Sequence, residues 1–259
     1  MNTLLPDGVF ALRILSLHRL ATSIHALLTA LALCTLCACG AGQNGNDSVS
    51  GPYQPAQTTR TLSVAPIAQQ TEVWCWAASA EMIFRYYNLP NLNPVGNYQC
   101  GIVAAYYGSN STCSINCFTC VSAIGPMSNA KLLIDGYGVV AQQFTNSRVL
   151  SSILIFSALT FNDTAREIDA SRPIIAGISP QGYSYPNISQ HIVAIVGYQN
   201  SNGTQLVVVN DPFPYDLFPS SPNPYTLAGA TRTRPGQYSI SYSALVSRLQ
   251  WGNTIYQIQ

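Results

Sequence analysis

Trp76, Ala80, Ile83 and Tyr87 recur at helical spacing, which predicts a helix over roughly Cys75 to Tyr87 with one buried face. Leu89-Pro90 ends it. Residues 91–126 are loop-rich and carry a cysteine cluster. Asn129–Tyr137 is expected to be a helix stopped by Gly136 and Gly138. Two more helices are expected, over about Arg148–Leu159 and Asp163–Ala170, the second capped by Asn162 or Asp163. The pattern then changes. Pro173–Ser179, His191–Tyr198 and Gln205–Asn210 are apolar, β-branched runs, and Asn200-Ser201-Asn202-Gly203 is a turn signal between the last two. A hairpin turning about residue 201 sets His191 opposite Asp211, within a residue or two. Residues 212–236 are Pro-rich and polar, hence a long loop; Tyr238–Tyr242 and Thr254–Ile258 read as strands, with a short helix over Ser243–Leu249. Helices first and antiparallel strands second make an α+β layout.

The length of 259 residues allows one large domain, or a domain plus a tail. Charged residues are 8% of the chain and the net charge is +1, which leaves no basic surface for nucleic acid and no acidic tail. Arg13 and Arg19 precede an apolar stretch from about Ala26 to Ala38, too short for a membrane-spanning helix and followed by small residues. Its end, Leu36-Cys37-Ala38-Cys39-Gly40, resembles a bacterial lipobox with Cys39 as the lipid acceptor, although Cys37 departs from the usual pattern. A plain secretory peptide is the alternative, and a signal anchor a further one. Residues 1–39 are therefore expected to be a signal peptide of lipoprotein type, and 40–60 a flexible linker rich in Gly, Asn, Ser and Gln. About 20 such residues reach roughly 25 Å. Residues 61–259 form the folded domain. The protein is expected in the bacterial cell envelope on a lipid anchor, or secreted, as a monomer that meets membrane only through that anchor.

Five cysteines follow the leader: Cys75, which stands apart, and Cys100, Cys113, Cys117 and Cys120, within 21 residues. In an exported protein the four read as two disulfides, in any of three pairings, leaving Cys75 reduced. A four-thiolate zinc site is the competing reading, since Cys117 and Cys120 have C-x-x-C spacing. The other spacings lack a second such pair, and an oxidising compartment opposes it. No cofactor or metal is expected.

Cys75 lies between Trp74 and Trp76, at the start of its helix and six residues after Gln69. His18 and His25 fall in the leader, so His191 is the one His of the processed chain. A thiolate nucleophile needs a positive environment, which a helix N-terminus and an imidazolium supply. Asp211 is placed to hold the second ring nitrogen. The backbone N–H of Cys75 and the amide of Gln69 or Gln70 are candidates to bind the oxyanion. Each residue alone has a bland reading: an inert buried Cys, a core His, an Asp-Pro turn. Their order, with the helix and hairpin that join them, favours catalysis.

Gln69-x5-Cys75-Trp76-Ala77-Ala78, Gln190-His191-Ile192-Val193-Ala194-Ile195-Val196-Gly197-Tyr198 and Val207-Val208-Val209-Asn210-Asp211-Pro212 resemble the papain-like cysteine peptidases, above all the bacteriocin leader-processing and plant-pathogen effector branches. The stretch from Arg166 to Ile178 resembles the helix-to-strand passage before the His in those branches, and the likeness spans about residues 62–258. The resemblance implies a helical lobe carrying the Cys and an antiparallel sheet lobe carrying His and Asp. It implies Cys75 as nucleophile, His191 as general base, Asp211 as orienting group and Gln69 in the oxyanion hole, acting on protein or peptide substrates. The leader-processing enzymes sit beside a transporter on the cytosolic side, and this chain has no transporter segments, so leader processing is not the expected role. Transglutaminase-like acyl transfer on the same triad, and a non-catalytic binding module, are the alternatives.

Overall fold

The computed structural model describes residues 53–55, 58–108, 110–218 and 222–259. The expectations for the leader, for Cys39 and for most of the linker lie outside the described residues. Among the described residues no helix is long and apolar enough to cross a membrane.

The first element among the described residues is strand β1, Thr59–Thr61, on residues expected at the end of the linker. Helix α1, Cys75–Tyr86, follows as expected, but it is not amphipathic in the expected sense. Every residue from Cys75 to Phe84 is buried, because α1 packs on the sheet through one face and on two later helices through the other. Ala77 and Ala78 are fully buried, and their small side chains let the helix lie close to its neighbours.

The region expected as loop contains helix α2, Tyr98–Tyr107, and a short α3, Thr112–Ile115. The side chain of Asn97 caps α2 by accepting from Cys100 N–H at 3.1 Å, and Gly108, at φ +91°, ends it. Two disulfides, Cys100–Cys117 and Cys113–Cys120, tie these elements together, with Cα separations of 5.2 and 5.6 Å. The zinc reading is thereby set aside, and the pairing left open by the sequence is fixed. Helix α4 covers Met127–Ala141 and runs through both glycines expected to stop it. Gly138 serves close packing instead: a Cβ there would stand 2.2 Å from the carbonyl oxygen of Arg148.

The expected helix over Arg148–Leu159 does not form. Ile153–Ile155 is strand β2, whose apolar residues pair with the last strand, so tertiary pairing overrides the local helical pattern. Helix α5 covers Phe161–Asp169 and is capped by Thr160, whose Oγ1 accepts from Asp163 N–H at 3.1 Å, rather than by Asn162 or Asp163.

Strands β3 (Ile174–Ile178), β4 (His191–Ser201) and β5 (Thr204–Asn210) lie where the β-branched runs put them. The expected long loop holds a short helix α6, Pro224–Leu227, and edge strand β6, Thr231–Arg234. Strand β7 (Gln237–Ser241), helix α7 (Tyr242–Ser247) and strand β8 (Asn253–Tyr256) close the chain. All pairings are antiparallel, in the order β2-β8-β3-β4-β5-β7-β6, with β1 on the far part of β4. Gly197 allows that last contact, since a Cβ there would stand 2.7 Å from Arg60 O.

The hairpin register falls at the edge of the expected range. Ser201 pairs with Thr204, a bulge falls between Ile195 and Gly197, and Ala194 pairs with Asn210. Continued by one residue, this ladder sets Asp211 across from Val193, two positions from His191 on the same face. The two still meet, diagonally.

Candidate active site

Cys75 is the first residue of α1 and the free cysteine among the described residues. The first helical bond runs from Ala78 N–H to Trp74 O at 3.0 Å. The N–H groups of Cys75, Trp76 and Ala77 therefore lack a helical acceptor, and their partial positive charge gathers around the thiol. The flanking tryptophans anchor the disulfide region to this helix end. Trp74 Nε1 donates to Cys120 O and Trp76 Nε1 to Ser122 O, each at 3.3 Å, and the Trp74 ring stacks on Phe118. On the other side, Ser79 Oγ donates to Ile192 O at 2.9 Å in the buried interior, which pins α1 to β4 one residue from His191.

His191 opens β4 and is fully buried. Its Nε2 stands 2.7 Å from Asp211 Oδ1. Its Nδ1 is buried with no partner in hydrogen-bond geometry, yet Cys75 is close enough to influence the ring. Burial acts to lower the imidazole's pKa. The charge and hydrogen bond of Asp211, helped by the Cys75 sulfur, outweigh it, and His191 is pushed up to about 9. It therefore carries a proton at neutral pH.

Asp211 is held by more than His191. Its Oδ1 also accepts from Phe213 N–H at 2.7 Å, and its Oδ2 accepts from Tyr215 Oη at 3.0 Å. Tyr215 is in turn 2.6 Å from Tyr185 Oη, and the Tyr185 ring stacks on His191 at 4.1 Å between centroids. Phe213 meets the imidazole edge-on. Burial, and then the Asp211 charge, raise both Tyr185 and Tyr215 well above the ordinary phenol range, so both keep their protons. The result is a closed ring: His191 on Asp211, Asp211 on Tyr215, Tyr215 on Tyr185, and Tyr185 back over the imidazole. Hydrophobic periodicity does not reveal these aromatics, because they lie outside the α-helices and strands. Tyr183-Ser184-Tyr185-Pro186 just before His191, and Phe213-Pro214-Tyr215 just after Asp211, were the available signal.

Of the two candidate glutamines, Gln69 is buried and Gln70 is exposed. Gln69 Nε2 donates to Thr71 O at 2.8 Å and Glu72 O at 2.9 Å, and its backbone N–H donates to Pro212 O. It braces the turn before Cys75 and ties that turn to the residue after Asp211. Gln70 faces α2, where its Oε1 accepts from Asn97 Nδ2 at 2.8 Å. Asn210 is committed away from the imidazole: its Nδ2 donates to Val64 O, and its Oδ1 accepts from Gln237 Nε2.

A family described as Peptidase_C39 like family matches residues 61–218. The chain belongs to that family and is a cysteine peptidase, and peptides are its substrates. Its architecture agrees, with the cysteine on a helix packed against an antiparallel sheet that presents His and Asp. No curated protein matches the chain. Among solved structures, digestive procathepsin L 3 of Tenebrio molitor larval midgut is 14% identical, with a TM-score of 0.45, covering 79% of this chain and 72% of that one. Procathepsin L2 from the same tissue is 16% identical at a TM-score of 0.43, covering 74% and 64%. A procathepsin B from Trypanosoma congolense is 12% identical at 0.42, covering 76% and 73%.

Proposed function

We propose that the chain is an exported peptidase that cleaves peptide bonds with Cys75, His191 and Asp211. The observation that carries this reading is the convergence of one free thiol, one imidazole and one carboxylate at the junction of α1 with the sheet. His191, protonated at neutral pH by its pairing with Asp211, stabilises a thiolate at Cys75. The thiolate attacks the peptide carbonyl and a C–S bond forms. His191 gives its proton to the departing amine as the C–N bond breaks, which leaves a thioester on Cys75. Water then loses a proton to His191 and attacks the thioester, and the C–S bond breaks, releasing the carboxylic acid and restoring the thiolate and the imidazolium. Asp211 keeps the ring aimed and balances its charge without taking the proton.

The oxyanion is bound by the N–H of Cys75 and by the amide of Gln69, which gives up its bond to the carbonyl of Thr71 and keeps that to Glu72 as substrate enters. Two disulfides suit an oxidising compartment, and the lipobox-like Cys39 supplies a lipid anchor with residues 40–52 as the tether, since Tyr53 already bonds Asp169 and Thr59–Thr61 is strand β1. The test is hydrolysis of an internally quenched peptide library by the processed protein and by Cys75→Ala and His191→Ala. Cleavage by the parent and its near-complete loss in both variants supports the reading. Undiminished cleavage in either variant defeats it.

A further inference from the structure

A groove of about 580 Å³ adjoins the N-terminal end of α1. One wall is the segment that leads into Cys75, with Gln70, Thr71, Glu72 and Val73. The other wall is Val121–Ala123, directly after the disulfide-bonded Cys120, and Asn187, four residues before His191, completes the lining. The groove thus lies where the chain segments bearing the nucleophile and the base come together.

Both walls are fixed before any ligand arrives. The backbone of Glu72 is held through its carbonyl by Gln69 Nε2 at 2.9 Å. The opposite wall hangs from the catalytic helix, with Ser122 O accepting from Trp76 Nε1 at 3.3 Å and Cys120 closed into its disulfide. A groove with preset walls spends little of its binding energy on ordering.

Its chemistry is specific. Val73, Val121 and Ala123 are apolar, and Val121 is half exposed. Thr71, Ser122, Asn187 and Gln70 are polar and neutral. Glu72 is the one ionisable residue in the lining, it is exposed, and no described residue forms an ion pair with it. A channel of mixed apolar and neutral polar walls with a single carboxylate fits a side chain with an aliphatic stem and a cationic head, which is Lys or Arg. A substrate carboxylate in the same place would meet Glu72 with no cation beside it.

We propose that this groove binds one substrate side chain next to the scissile bond and selects peptides bearing Lys or Arg there, with Glu72 as the residue that sets the preference. The inference rests on the peptidase reading above and adds a substrate class to it. The ion pair is solvent-accessible, so the expected preference in kcat/KM over isosteric Gln and Met peptides is roughly two- to fivefold. It shrinks as salt is raised, because the charges are screened.

The experiment is a positional-scanning library of internally quenched peptides, read with the processed protein, with Glu72→Gln and with Glu72→Lys. The expected result is a Lys/Arg preference at one position in the parent, a ratio near one for Glu72→Gln, and a swing toward Glu and Asp for Glu72→Lys. An unchanged preference in Glu72→Gln, or cleavage by the parent with no cationic preference at any position, overturns the groove's assignment while leaving the peptidase standing. A folded parent that cleaves no member of the library removes the peptidase reading, and this proposal with it.

Discussion

Replacing Asp211 with Asn removes one negative charge and almost no volume from a buried site. The new amide oxygen still accepts from Phe213 N–H, and the amide NH₂ meets Tyr215 Oη, which accepts from it in place of donating. The fold is therefore kept and the electrostatics are not. Burial already acts to lower His191, and without the carboxylate only the Cys75 sulfur opposes it. The ring should then titrate at or below its ordinary 6.5 instead of about 9. A change of that size is about 3 kcal/mol. It predicts a fall in kcat/KM on the order of a hundredfold at neutral pH.

The same shift has a sign in stability. The folded state of the parent binds the His191 proton more tightly than the unfolded state does. The stabilisation, on the order of 3 kcal/mol, is fully present below pH 6.5 and is lost as the pH rises through about 9. Asp211→Asn lacks that alkaline decline. His191 is the one histidine after residue 25, so protein lacking residues 1–39 has a single imidazole to titrate by NMR. A midpoint near 6.5 in the parent, or the same midpoint in parent and variant, refutes this reasoning.

Tyr215→Phe removes one donor from Asp211 and should lower kcat several-fold with KM little changed. Tyr185→Phe should keep the stacking on His191 and outperform Tyr185→Leu; kinetics over a pH series check both. Gly197→Ala should destabilise the domain by about 1–3 kcal/mol, read by urea denaturation, because a Cβ meets the β1 backbone. Removing Cys100–Cys117 as a double Ser variant should cost about 2–5 kcal/mol in the same assay and weaken substrate binding through the loop hung from Trp74 and Trp76. Cys39→Ala should move the protein from the membrane fraction to the soluble exported fraction, and an unchanged distribution removes the lipid-anchor proposal.

Much of the candidate site was legible because its parts lie in strongly patterned segments. Cys75 opens a run with apolar residues at helical spacing, and His191 and Asp211 bracket a hairpin of β-branched residues around an Asn-Gly turn. The meeting of His191 with Asp211 tolerates the observed offset of two residues, within the range the hairpin implied, because a shift of two preserves the face of a strand. Other features depend on contacts that no local pattern records. Residues 148–159 have helical spacing, but the edge of β8 captures Ile153–Ile155. Helix α2 lies in the segment 91–126 expected as loop-rich, although it carries an Asn97 cap and a Gly108 stop; its internal Gly101 is there because a Cβ would crowd the backbone of Asn93. Tyr185 and Tyr215 escaped notice because loops have no periodicity, and only the folded chain sets one over His191 and the other on Asp211.

The central claim is that Cys75 is the nucleophile of a peptidase, and it is tested most directly by an epoxysuccinyl probe on the native processed protein, with the modified residue mapped by mass spectrometry and peptide hydrolysis followed in the same sample. The account predicts one equivalent of probe, bound at Cys75, with hydrolysis lost in proportion to labelling. Full hydrolysis with Cys75 completely labelled, or inactivation with the probe on another residue, contradicts it.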